Sequence, residues 1–292
     1  MSIDVLQEKI RKTKNPSMVD LALNATDLPR YLLEEEGSQA AAYGRFCREI
    51  LETLKGTVPA VRFGFTAFAI LGPEGLEQLQ KLLSAAKAMG YYVALESPYI
   101  LSPMMASGVA EAVFGEKALY PCDGLIISAY PGSDILKPFL PFVRDKKKDI
   151  FPVVRTSNKS APEIQDLLSG SRLVHAAAAD LINRFGADNS GKFGYARVGV
   201  VAGASSAESL RNLRCKYPRL FLLVDDMDYS GCNAKICSGA FDKFGHGAVV
   251  CAGPTVTTGW KTAGTEETGY LDAALAAAER MKKNLTRYVS VL

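Results

Sequence analysis

Tyr91-Tyr92-Val93-Ala94-Leu95-Glu96-Ser97-Pro98-Tyr99-Ile100-Leu101-Ser102-Pro103 reads as a short apolar strand that ends in a carboxylate, then a proline-punctuated turn, then a helix from about Met104. The strand shows little apolar–polar alternation, which marks a strand buried on both faces and so a parallel sheet covered by helices. The same grammar recurs along the chain. Expected strands lie at Ser17–Leu23, Ala60–Phe65, Tyr91–Glu96, Gly124–Ala129, Ile150–Thr156, Ala196–Ala202, Leu220–Asp225 and Gly247–Ala252, each followed by a helical pattern.

The helix signals between them are local. Asp27 is placed to cap a helix that starts near Leu28-Pro29, breaks at Gly37 and runs to Leu54. Gly75–Met89 is closed by Gly90, and Ser133-Asp134 opens a helix towards Val143. Ser160 and Pro162 suit the N-cap and first turn of another. Arg172–Ala179 reads as helical with His175 on its outer side, and Ser205-Ser206-Ala207-Glu208 opens a helix to about Lys216. Ser230 to Phe244 is a weaker helix, and Thr265 begins a long final one reaching Arg287. Gly186–Tyr195 is a polar, glycine-rich surface loop.

Eight strand–helix alternations in 292 residues favour a single closed (β/α)8 TIM barrel spanning residues 1–292, with extra N-terminal and C-terminal helices. An open doubly wound sheet is the runner-up. Hydrophobic residues make up 48% and charged residues 22%, the balance of a folded core with a hydrated surface. The net charge is only +3, and Arg144 to Lys148 is the one basic run, so nucleic acid is not an expected partner. No apolar run approaches the roughly 18 residues that span a bilayer, so no membrane is expected. Six dispersed cysteines point to a cytoplasmic protein with reduced thiols. Cys232 and Cys237 lack metal-ligand spacing and a nearby His pair, so neither zinc nor another metal or cofactor is expected.

A barrel keeps its chemistry at the C-terminal strand ends. Those ends carry Asp20 and Asn24, Arg62, Glu96, Ser128 and Tyr130, Arg155-Thr156-Ser157-Asn158, Gly203 and Ser205, Asp225-Asp226 with Asp228, and Gly253-Pro254-Thr255. Arg155, Thr156, Ser157 and Asn158 have the hydroxyls and amide to bind a heterocycle or sugar, or else Asn158 and Ser160 only cap the next helix. The Asp225 cluster fits a hard cation, or ion pairing with Arg62 or Arg155 across the mouth; ion pairing is the simpler reading. Gly253 and its threonines suit a phosphate loop, although Pro254 removes one donor. His246 precedes the last strand, at the opposite face, and neither histidine is placed as a general base.

Several of these stretches together resemble the orotidine 5′-phosphate decarboxylase family in its longer bacterial form. Arg155-Thr156-Ser157-Asn158-Lys159-Ser160 is similar to that family's Arg/Lys-Thr-Ser-Asn-Pro-Ser segment. Asp123-Gly124-Leu125 through Tyr130-Pro131-Gly132-Ser133-Asp134 to Pro138-Phe139-Leu140 is similar to its Asp-Gly…Pro-Tyr-Leu-Gly-x-Asp…Pro-Phe-Leu segment. Val198 to Ala204 and Leu71-Gly72-Pro73-Glu74-Gly75 also match, and the likeness runs from about Ser17 to Thr257.

The resemblance implies the barrel, a homodimer formed through the barrel mouth and a pyrimidine-like ligand held on the segment of Arg155, Thr156, Ser157 and Asn158, with Gly253 kept as the phosphate-loop candidate of the strand-end reading. It also implies a catalytic Lys on the second strand and an Asp-x-Lys-x-x-Asp run after the third. Here Arg62 takes the first place, and Glu96, Pro98 and Leu101 take the three charged places of the run. Ala22 stands where a ribose-binding Asp belongs, and the phosphate-binding Gln and Arg fall near Ser230 and Pro254. The expectation is therefore a decarboxylase-like barrel that does not decarboxylate: a pyrimidine- or nucleotide-related binder or regulatory pseudoenzyme. The alternative is a divergent lyase of pyrimidine nucleotide metabolism using Glu96, Arg62 and Asp225 at the mouth. A purely structural role, pairing with itself or with an active paralogue, is the third reading.

Overall fold

The computed structural model describes residues 3–97, 100–204, 207–225, 227–228 and 232–292. In chain order it contains α1 (Ile3–Thr13), β1 (Ser17–Asp20), α2 (Arg30–Glu36), α3 (Gln39–Thr53), β2 (Ala60–Gly64), α4 (Phe65–Ala69), α5 (Gly72–Ala88) and β3 (Tyr92–Glu96). Then come α6 (Pro103–Phe114), β4 (Gly124–Ser128), α7 (Leu140–Asp145), β5 (Asp149–Arg155), α8 (Pro162–Gln165), β6 (Leu168–Ser169), β7 (Arg172–Leu173) and α9 (Val174–Gly186). The chain closes with β8 (Val200–Gly203), α10 (Ala207–Lys216), β9 (Leu222–Asp225), α11 (Ala234–Cys237), β10 (Ala248–Ala252), α12 (Pro254–Thr257), α13 (Gly259–Ala263) and α14 (Tyr270–Thr286).

Eight strands close into a parallel barrel in the order β1-β10-β9-β8-β5-β4-β3-β2. The strands read as unbroken apolar runs because both of their faces are buried: Val93, Leu95, Leu125, Val200, Leu223 and Val249 are all inaccessible to solvent. The open doubly wound sheet is thereby excluded. The register sets the mouth. Asp20 lies opposite Arg62, Gly64 opposite Glu96, and Gly203 opposite Asp225, so the strand-end side chains face one opening.

The long first helical region breaks at Gly37, whose φ of 71° suits glycine. The helix starts differ from expectation where local hydrogen bonding wins. Asp27 does not cap α2; it pairs with Lys261 at 2.8 Å, and Pro29 stands at the N-cap. The segment after Ser133 forms two 3-10 turns before α7, because Pro138 and Pro141 lack the N–H donors of a continuous helix. Ser160 does not cap the next helix: Ala161 stands at the N-cap of the single turn α8, with no side-chain cap, and a two-stranded antiparallel hairpin, β6–β7, follows that takes in Arg172 and Leu173. The Ser230–Phe244 region holds the short α11 and a 3-10 turn, with Ser230 outside the described residues. Likewise Ser205 and Ser206 lie outside them, ahead of α10.

At the closed end of the barrel, Asp123 and Asp149 are fully buried. Asp123 accepts from Val93 N at 3.0 Å and lies 3.3 Å from Lys87 Nζ, while Tyr92 Oη donates to Asp149 at 2.7 Å. Burial pushes the Asp149 carboxyl up to about 8, against the pull of the Tyr92 hydroxyl and the Ile3 N–H. The folded pKa lies above the ordinary carboxylate value of 3.8, so between these pH values the native state holds a proton that the unfolded chain has released. Stability from this site therefore falls as pH rises through that window, at about 1.4 kcal/mol per pH unit. Asp149→Asn keeps an acceptor for Tyr92 and removes the titration. Urea midpoints across the window are expected to fall less steeply for this variant than for the wild type.

Candidate functional site at the barrel mouth

Arg62 projects from β2 into the mouth and is the centre of an ion triad whose Asp225 arm is a quarter open to solvent. Its Nη2 donates to Asp20 Oδ2 on β1 and its Nη1 to Asp225 Oδ1 at the end of β9. The side chains of Arg62 and Asp20 are only 12% and 9% exposed, so these charges are taken out of water and stand or fall together. Burial opposes the Arg62 charge, and the two carboxylates outweigh it and hold the guanidinium protonated. Asp20 Oδ1 also accepts from Ala22 N at 3.0 Å, and Tyr43 Oη bridges Leu21 O and Leu23 N, so the chain leaving β1 is pinned from inside.

Glu96 lies beside this triad. Its Oε2 sits 3.7 Å from the point where a Cβ on Gly64 would stand, and that same point is 2.9 Å from the Ala22 Cβ. The residue opens on the solvent side of the mouth, yet its carboxyl is held above the usual range. Desolvation by the mouth walls is the main cause, Arg62 opposes it, and Asp20 and Asp225 reinforce it. Gly253, just after β10, abuts Asp20, with the Asp20 Cβ at 3.2 Å from its own notional Cβ. Ser157 reaches the same wall by donating from Oγ to the Asp225 carbonyl at 3.1 Å. Arg62, Glu96, Asp225, Ser157 and Gly253 are thus brought together, with Asp20 as the partner that completes them. Asp226 lies outside the described residues.

The Arg155 side chain makes its ion pair outside this cluster. Arg155 turns to Asp166, with Nε to Oδ1 at 3.1 Å and Nη2 to Oδ2 at 3.0 Å. His175 Nδ1 lies 3.0 Å from both Asp166 Oδ1 and the Gln165 carbonyl, two acceptors, so that nitrogen carries the proton. His175 is buried rather than on the outer surface, because the β6–β7 hairpin folds Gln165 and Asp166 back over it. The Arg155 hydrogen bonds hold the Asp166 carboxyl below the usual range. The cavity of about 340 Å³ beside these side chains is lined by Asp166, His175, Asn212 and Tyr217 and opens in the outer helical layer, between α9 and α10. Thr156 N donates to Gln165 Oε1 at 2.8 Å, and Thr156 Oγ1 contacts Asn158 Oδ1 at 2.5 Å. Asn158 supplies its backbone carbonyl, not its side chain, to Ala161 N.

The loop after β10 has the shape expected of an anion site, but its donors have an acceptor already. Asp228 Oδ2 accepts from Gly253 N at 2.6 Å and Asp228 Oδ1 from Thr255 N at 3.1 Å. Pro254 between them has no N–H. The chain's own carboxylate thus takes the place that an anionic oxygen pair would fill.

Comparison with known proteins decides the family. A relative named orotidine 5′-phosphate decarboxylase, from Rhodopirellula baltica, is 30% identical over 293 aligned positions, covering 96% of this chain and 97% of the relative. The chain belongs to the orotidine 5′-phosphate decarboxylase family. A decarboxylase of that name from Clostridium novyi is 24% identical, with 98% of each chain covered. No family model matches the chain. Among solved structures, a decarboxylase of this family from Toxoplasma gondii superposes with a TM-score of 0.80 at 20% identity, covering 97% of this chain and 98% of that one. One from Streptomyces avermitilis gives 0.77 at 22% identity, covering 100% of this chain and 98% of that one. These structures share the family barrel, and the mouth described above is the strand-end face of that barrel.

Proposed function

We propose that this family member does not decarboxylate orotidine 5′-phosphate and works as a pyrimidine-related binder or regulatory pseudoenzyme. The observation that carries this reading is the state of Arg62. It stands where the family resemblance places the strand-two lysine, and it is clamped between Asp20 and Asp225. A guanidinium held by two carboxylates keeps the charge at that place but neither the geometry nor the reach of a free ammonium.

The β3 loop supports the same conclusion. From Ala88 to Glu116 the sequence contains no lysine, arginine or aspartate. Whatever register is chosen there, this segment supplies no cationic acid to protonate a carbanion at the pyrimidine ring. Pro98 lies outside the described residues, and Leu101 is exposed. We read the exposed Leu101, Met104 and Met105, on and just before α6, as part of a surface for a second copy of the chain, the homodimer through the mouth that the resemblance implies.

With Asp228 on the Gly253 and Thr255 N–H groups, the mouth suits a base or nucleoside better than its phosphate ester. Calorimetric titration is expected to show uridine and uridine monophosphate binding with similar affinity. Asp228→Ala frees both donors and removes a negative charge, and is expected to favour the monophosphate by about tenfold over the nucleoside, roughly one charge-assisted hydrogen bond. A wild-type preference of two orders of magnitude for the monophosphate contradicts the reading.

One observation favours the divergent lyase as a second reading. Glu96 combines an elevated pKa with the neighbouring Arg62 charge, the setting of a general acid. A reaction found with any pyrimidine nucleotide and lost in Glu96→Gln would establish it.

A further inference from the structure

Six cysteines are free thiols, and the fold sets two of them against each other. Cys232 precedes α11 and Cys237 is its last residue. Five positions along a straight element do not bring side chains face to face. Here Asn233, in extended conformation, caps the helix by accepting from Ile236 N at 3.0 Å and turns the chain back on itself. The result is an Sγ–Sγ separation of 3.5 Å. A disulfide needs about 2.05 Å, so the sulfurs close the remaining distance of about 1.5 Å by a small side-chain rotation.

The two thiols differ in access. Cys237 is buried, whereas Cys232 is half-buried and lines a surface cavity of about 350 Å³ with Lys235, Asn284 and Arg287. The hydrogen bond with Cys232, reinforced by burial, pushes the Cys237 thiol far up, and Cys232 is the sulfur that a reagent from solvent reaches first. The Lys235 and Arg287 charges at the rim suit an anionic reagent.

We propose that Cys232 and Cys237 are a reversible disulfide site, with Cys232 accepting attack-and-exchange with a low-molecular-weight acidic disulfide and Cys237 resolving it. The Cys232 thiolate attacks one sulfur of R–S–S–R, forms Cys232–S–S–R and expels RS⁻, which takes up the proton that Cys232 released. Cys237 then attacks the Cys232 sulfur, expels the second RS⁻ and gives it its proton. Two protein thiols are oxidised and one small disulfide is reduced to two thiols. The bridge would span α11, joining the residue before its N-cap to its last residue.

The test uses the full chain equilibrated with oxidised glutathione, alkylated and digested with trypsin. Lys235 lies between the two cysteines, so cleavage leaves the bridge joining two peptides. The expected product is that linked pair, lighter by two hydrogens than the reduced peptides and lost on adding excess dithiothreitol. Cys237→Ser is expected to stop at a Cys232–glutathione mixed disulfide, and Cys232→Ser to leave Cys237 unmodified. Exposed Cys215 reports that the reagent was present, whatever happens at the pair. Recovery of Cys232 and Cys237 as separately alkylated thiols from the oxidised wild type overturns the proposal. So does a wild type that stops at the same mixed disulfide as Cys237→Ser.

Discussion

Arg62→Ala is expected to lower the stability of the protein by about 3–5 kcal/mol, the cost of stranding buried charges without their partner. Asp20 and Asp225 face each other across the position that Arg62 fills, and both lose their counter-charge at once. Arg62→Lys retains a charge but has no second arm, and is expected to fall between the two. Urea midpoints at neutral and mildly acid pH measure all three proteins. If Arg62→Ala unfolds at the wild-type midpoint, the triad is not the organising contact of the mouth.

Arg214 carries the second large effect, at the other end of the barrel. It is buried where α10 ends, and its donors reach four backbone carbonyls: Ala240 at 2.8 Å, Pro218 and Leu220 at 2.9 Å, and Gly247 at 2.6 Å. Those carbonyls belong to the turns that start β9 and β10, so one side chain fixes the entry of two barrel strands. Burial depresses the Arg214 pKa, opposed by Tyr195 and Asp242. Arg214→Met fills a similar volume but takes this donor from the Ala240, Pro218 and Leu220 carbonyls, while the Gly247 carbonyl keeps the Leu222 N–H at 2.9 Å. The expected loss is about 4 kcal/mol, because each buried acceptor left unpaired costs about 1–3 kcal/mol and partial relaxation recovers some of that. Ligand binding at the mouth, measured well below the transition, is expected to change little.

The barrel was legible because its eight strands are short, apolar and buried on both faces, and periodicity reports that directly. Asp20 was visible only as a polar residue at the end of the first strand. What the sequence did not carry was its partner. Arg62 had two acidic neighbours in space, from strands at positions 20 and 225, and only barrel closure brings them to one side chain. Arg214 sits in Arg211-Asn212-Leu213-Arg214-Cys215-Lys216, a stretch that reads as a solvated helix face. The Asp166–His175 contact depends on a hairpin of two-residue strands, too short for any periodic signal. Asp228 was seen as part of an acidic cluster, but its role as acceptor for Gly253 and Thr255 depends on the path of the loops. Cys232 and Cys237 looked dispersed because their meeting is made by a single helical turn.

We propose that a barrel of the orotidine 5′-phosphate decarboxylase family persists here without the family's proton donor. Release of carbon dioxide from orotidine 5′-monophosphate by the purified full chain tests it most directly. The expected result is a rate no higher than that of the enzyme-free solution at any substrate concentration. Saturable turnover that co-elutes with the protein would contradict it.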